Sequence, residues 1–75
     1  MVSKPKVLKA FADRLRELRV AAGLTQKEVA DLCGWTSQAA YQPYETGNKD
    51  PSFSVLLRIA HAIGVSLKEF DQPAG

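Results

Sequence analysis

Apolar residues recur every three or four positions through most of this chain. Between Lys6 and Ala22, the residues Phe11, Leu15, Leu18 and Ala22 follow one another at spacings of four, three and four, with Leu8 a turn earlier. That spacing places them on one face of an α-helix, and Gly23 is a stop signal directly after it. Thr25-Gln26-Lys27-Glu28 then reads as a capping box, in which the Thr25 hydroxyl and the Glu28 carboxylate satisfy free amides at the start of a second helix. This helix runs to about Cys33 and stops at Gly34. Its inward residues are Val29, Ala30 and either Leu32 or Cys33.

A third helix is predicted from Gln38, with Thr36 and Ser37 as candidate N-caps and Thr46-Gly47-Asn48 as the closing loop. Asp50-Pro51-Ser52 opens a fourth, whose buried stripe is Leu56, Ile59, Ala60 and Ile63 and whose end is Gly64. Ser66-Leu67-Lys68-Glu69 is a second capping-box pattern and starts a short fifth helix that includes Phe70. No segment alternates with the period of a strand. The expected fold class is therefore all-α, a bundle of about five short helices in one domain over residues 1–75, with a core from about 7 to 71. Lys4 and Lys6 form either an arm or a disordered tail at one end, and Gln72-Pro73-Ala74-Gly75 is a frayed tail at the other.

The third predicted helix holds a proline inside it. On a helical wheel Tyr41 and Tyr44 share one side and read as core, while Gln38, Ala39, Gln42 and Pro43 occupy the opposite arc. If Ser37 caps this helix, Pro43 lies past its first turn and costs about 3 kcal/mol there, and it pushes Gln42 out of the helical region. The expectation is a kink or a widened turn near Gln42; the alternative is a helix that ends early. The outward arc is small and amide-bearing. Amides pair in two-pronged fashion with adenine in the major groove, and alanine or proline surfaces suit thymine methyl groups.

Composition narrows the function classes. Seventy-five residues, 45% of them hydrophobic, can form one small core. The single Cys33 excludes an internal disulfide and a cysteine zinc site, so a reducing cytoplasm is expected. No apolar run approaches the roughly 18 residues of a membrane span. The net charge of +2 is unevenly spread: residues 1–27 carry seven basic side chains against two acidic ones, and the rest three against six. A basic end suits an anionic partner, although a solvated lysine-rich surface has the same composition.

The second and third helices, joined by the turn Gly34-Trp35-Thr36-Ser37, have the arrangement of a helix-turn-helix. Several blocks carry a closer likeness: Leu24-Thr25-Gln26-Lys27-Glu28-Val29-Ala30, Gly34-Trp35-Thr36-Ser37-Gln38, Glu45-Thr46-Gly47 with Pro51-Ser52, and Leu56-Leu57-Arg58-Ile59-Ala60 with Ile63-Gly64-Val65-Ser66-Leu67. Together they resemble the phage repressor and Cro-type helix-turn-helix family, also called XRE-like, over about residues 11–70. The resemblance implies a lambda repressor-like bundle that binds operator DNA as a two-fold dimer with its third helix in the major groove. It further implies that Gln38, Ala39 and Gln42 face bases and that Pro43 replaces a polar base reader. Gln26 would bind a phosphate and buttress the third helix. Lys27, Thr36, Ser37, Asn48 and Lys49 would join it on the phosphates, and Arg19 and Glu45 would form a structural ion pair. One departure is an extra residue between Gly34 and Glu45 relative to most members.

Other readings stand beside these. Val65, Leu67 and Phe70 are either the dimer surface or the completion of the monomer core. Trp35 reads as an anchor for the turn. His61 is the only histidine and reads as structural; Asp13 and Glu17 are four apart and share a helix face, and with Arg14, Arg16 and Arg19 nearby they read as surface charge. No catalytic group or cofactor is expected. The expectation is a non-enzymatic, sequence-specific regulator of double-stranded DNA, most simply a repressor; the rival is a protein-interaction module, antitoxin-like, that keeps the fold without reading DNA.

Overall fold

In a computed structural model of the chain, residues 6–71 are described. They form α1 (Lys6–Ala21), α2 (Gln26–Leu32), a 3-10 turn (Gln38–Ala40), α3 (Gln42–Thr46), α4 (Phe53–Ile63) and a closing 3-10 segment (Leu67–Asp71). Among the described residues there is no strand. Lys4 and the Gln72-Pro73-Ala74-Gly75 tail lie outside them.

Local chemistry sets the helix ends. The Thr25–Glu28 capping box forms in full: the Glu28 amide donates to the Thr25 hydroxyl at 3.0 Å, and the Thr25 amide donates to the Glu28 carboxylate at 2.8 Å. Gly23 and Gly34 close α1 and α2 in the same way, each with a left-handed backbone, φ 75° and 82°. After α1, the amides of Gly23 and Leu24 return to the carbonyls of Val20 and Arg19; after α2, those of Gly34 and Trp35 return to Asp31 and Ala30. Such closures satisfy helix-end carbonyls that would otherwise lack a donor. At α4, the Ser52 hydroxyl accepts from the Val55 amide.

The apolar stripes converge on one core. Leu15 and Leu18 of α1, Val29, Ala30 and Cys33 from α2 and its cap, Tyr41, Tyr44 of α3, and Ile59 and Ile63 of α4 are buried together. Phe11, Leu24, Trp35, Val55, Ala62, Val65 and Phe70 pack around them. Of the expected core positions, Ala22 is exposed because α1 has already ended, and Leu8, Phe11 and Leu56 are only partly buried; of the alternatives Leu32 and Cys33, Cys33 is the buried one and Leu32 is 61% exposed. Burial pushes the Cys33 thiol up, and its Sγ lies 3.8 Å from the Arg58 carbonyl.

The fifth predicted helix is a 3-10 segment, and its capping box gives way to a tertiary contact. The Glu69 amide donates to the Ser66 carbonyl, but the Glu69 carboxylate accepts from Arg14 at 3.1 Å, and Arg14 Nε donates to the Glu69 carbonyl at 2.7 Å. Arg14 also pairs with Glu17. The Phe70 ring lies on Phe11 with centroids 5.6 Å apart. This clasp fastens the end of the fold to α1.

Candidate nucleic-acid interface

The stretch expected to be one third helix is broken in two. Ser37 enters it with extended backbone and makes no side-chain cap, so neither the expected Ser37 cap nor a helix continuous from Gln38 is present. The Tyr41 amide donates to the Gln38 carbonyl, closing a single 3-10 turn, and α3 begins at Gln42. Pro43 therefore stands in the first turn of α3, where an amide hydrogen has no intrahelical partner in any case. Gln42 is the first residue of α3, so it is not displaced from the helical region as expected; in place of a kink the stretch passes from a 3-10 turn to an α-helix at Tyr41, whose own backbone is right-handed helical. The cost of an interior proline, about 3 kcal/mol, does not arise.

The break gives Pro43 a further use. Its carbonyl receives the Gly47 amide as α3 ends, the Asn48 and Lys49 amides at 3.0 and 3.2 Å, and the Thr46 hydroxyl at 3.1 Å. The loop after α3 is thus folded back on one oxygen. Since the Asn48 and Lys49 amides are engaged, the donors these residues offer a partner are those of their side chains. The Lys49 ammonium lies 5.7 Å from the centre of the Tyr44 ring, whose other neighbour is Trp35, stacked at 5.9 Å.

Behind this surface lies a polar cluster centred on Glu45, the one buried charged side chain among the described residues. Arg19 Nε donates to Glu45 Oε2 at 2.5 Å and Arg19 Nη2 to Oε1 at 3.2 Å, so the expected ion pair is formed with two prongs. The Tyr41 hydroxyl donates to Oε2 at 2.5 Å and Gln26 Nε2 to Oε1 at 3.1 Å. Burial by itself raises a carboxyl pKa, but the hydrogen bonds from Arg19, Tyr41 and Gln26 outweigh it and hold Glu45 below the ordinary carboxylate value. Arg19 is raised by the hydrogen bond to Glu45, against the opposing effect of its own burial. Tyr41 is pushed well above its ordinary value by burial, and further by its bond to Glu45.

The cluster reaches the surface through Gln26, whose Oε1 accepts from Gln38 Nε2 at 2.7 Å. Gln38, Ala39 and Gln42 are exposed and Pro43 is partly buried. Thr36, Ser37, Asn48 and Lys49 are exposed nearby in the chain. Lys27 is exposed but engaged with Asp31 at 2.6 Å one turn along α2. Val65 and Phe70 pack against the core, and Leu67 is partly buried. His61, expected to be structural, instead faces solvent on α4. The bonds of Gln26 to Glu45 and Gln38 are the buttress expected of it, whereas the part of Tyr41 was not anticipated, although its four-residue spacing from Glu45 was a readable signal.

A family model described as a helix-turn-helix domain matches residues 10–72, and the chain belongs to that family. Its relatives bear out the phage-repressor likeness. The SPbeta prophage-derived uncharacterized HTH-type transcriptional regulator YonR of Bacillus subtilis is 36% identical over 56 residues, which cover 75% of this chain and 51% of that protein. The cryptic phage CTXphi transcriptional repressor RstR of Vibrio cholerae is 34% identical over 59 residues, 79% of this chain and 52% of that protein. The chain thus spans about half the length of the curated relatives it matches. Among solved structures, the restriction-modification controller protein C.AhdI from Aeromonas hydrophila superposes with a TM-score of 0.77 at 35% identity, covering 84% of this chain and 94% of that one. The clp gene regulator ClgR from Corynebacterium glutamicum gives 0.80 at 29% identity, with 88% and 84% covered. The family is one of non-enzymatic DNA-binding domains. Among the described residues no helix is long and apolar enough to cross a membrane, and no group of three or more His, Cys, Asp or Glu side chains is placed to hold a metal.

Proposed function

We propose that this protein is a sequence-specific transcriptional regulator, a repressor acting in the cytoplasm, that binds a palindromic operator in double-stranded DNA as a homodimer. Base reading is carried by Gln38 with Ala39 and Gln42, and Pro43 offers an apolar edge. Gln26, Lys27, Thr36, Ser37, Asn48 and Lys49 serve the phosphates. The observation that carries this reading is the exposed Gln38 amide held at 2.7 Å by Gln26 on a turn anchored to the buried Glu45. A side chain immobilised before binding loses little entropy on meeting a base edge. The break at Tyr41 confines the 3-10 turn to Gln38, Ala39 and Ala40, so the proposed contact is concentrated on a short, rigid segment.

Dimerisation supplies the second half-site, and the rim at Val65, Leu67 and Phe70 is the proposed contact surface. Two copies related by a two-fold axis then read half-sites about one turn of DNA apart. Selection of bound duplexes from a randomised pool at moderate salt tests this. A palindromic motif is the expected result; equal retention of all sequences, or none, would contradict it.

A further inference from the structure

The backbone carbonyls of the 3-10 turn can be followed one by one to their donors. The Ser37 carbonyl accepts from the Ala40 amide at 3.2 Å and the Gln38 carbonyl from the Tyr41 amide at 3.0 Å, after which the Tyr44 amide turns to the Tyr41 carbonyl. The Ala39 carbonyl is passed over. In an unbroken α-helix it would accept from the amide four residues on, but that residue is Pro43, which has no amide hydrogen. Among the described residues no other donor is directed at it. Ala39 and Ala40 are both exposed, and their methyl side chains leave the backbone open to close approach.

We propose that the Ala39 main-chain carbonyl, left free by Pro43, is a base-reading acceptor in the major groove. The inference rests on DNA reading by this turn and adds to it a contact that no side chain makes. A carbonyl oxygen only accepts, and unlike a glutamine amide it cannot turn over to donate. Its partner is therefore an amino group, N6–H2 of adenine or N4–H2 of cytosine. Guanine and thymine present O6 and O4 in place of these, so two acceptors would meet. The signature is a position in each half-site that takes adenine or cytosine and refuses guanine or thymine. A two-pronged glutamine contact would choose adenine alone.

The test is duplex selection by the wild type and by Gln38→Ala, Ala39→Gly and Gln42→Ala, each checked for helical content by circular dichroism. If the wild type retains all sequences alike, DNA reading itself fails and takes this inference with it. If a motif emerges, one position should favour adenine and cytosine over guanine and thymine by on the order of ten-fold, and that ratio should survive all three truncations. Affinity should fall by a similar factor when the base there loses its amino group, with purine replacing adenine or 2-pyrimidinone replacing cytosine. A chain synthesised with lactic acid in place of Ala40 turns the Ala39 carbonyl into an ester, a weaker acceptor. It keeps every side chain and gives up only the Ala40 amide bond to Ser37. The ratio should then drop to about three-fold. A motif without such a position, or an amino preference that vanishes with one side chain or is unmoved by the ester, would overturn the proposal while leaving recognition by Gln38 standing.

Discussion

Arg19 Nε and Glu45 Oε2 meet at 2.5 Å across 26 residues of sequence, and the Glu45 side chain is only 2% exposed. The pair joins the end of α1 to α3, and Arg19 Nη1 also holds the Leu24 carbonyl at 2.7 Å before α2 begins. Removing one member leaves a buried charge without its partner, at a cost of about 3–5 kcal/mol. A domain of this size has a total stability of roughly 4–11 kcal/mol. Arg19→Met, which strands the buried Glu45 carboxylate, should therefore lose a large part of the stability measured by urea unfolding. The double replacement Arg19→Met with Glu45→Leu, which removes both charges, should cost much less than the sum of the single changes. Additive losses would refute a strongly coupled pair.

Acid should find the same weakness. Glu45 is held below its ordinary value in the folded state, so the unfolded chain binds more protons in the window between the two values. Its contribution is complete above the unfolded value of about 4.3 and is lost as pH falls through the lower folded value. The urea midpoint of the wild type should fall below pH 4.5 more steeply than that of Glu45→Gln. Tyr41 has the opposite sense: burial, with its bond to Glu45, raises it, so its contribution is complete below about pH 10 and declines in stronger alkali.

Pro43→Ala separates a broken helix from a continuous one. In a continuous helix the change would restore a hydrogen bond and stabilise by about 3 kcal/mol. In the first turn of α3 there is no such bond to restore, and the added freedom of the unfolded chain should destabilise by about 0.4–1 kcal/mol. Thermal unfolding reads the sign directly.

Lys49 is exposed and its ammonium lies over Tyr44, pointing its charge from the loop that folds back on Pro43. If it contacts a phosphate, Lys49→Ala should weaken binding to all duplexes alike and reduce the slope of log affinity against log salt by about one. A change in the preferred sequence with an unaltered salt slope would instead make Lys49 a base reader.

Much of this arrangement is readable along the chain because its causes are local. Gly23, Gly34 and the Thr25–Glu28 box mark helix ends within a few residues of the groups they satisfy. The misses share a different cause. Leu32 and Cys33 are adjacent, and which one faces inward depends on how the chain tightens after α2. Ser66 to Glu69 has the local pattern of a capping box, yet Arg14, 55 residues from Glu69, takes the carboxylate. Pro43 signalled a disturbance at the right place, and the change from 3-10 turn to α3 falls just before it, but which residues each part would hold was not written in the local pattern. The link from Glu45 through Gln26 to Gln38 joins three segments, and no local pattern carries it.

The most direct measurement is an NMR titration of the labelled protein with its selected duplex, following backbone and side-chain amides. The largest perturbations are expected at the Gln38 side-chain amide and along residues 36–42, with Gln26 and Lys49 next. Perturbations confined to α4 and the closing 3-10 segment, with the Gln38 amide unmoved, would contradict the claim that this face reads DNA.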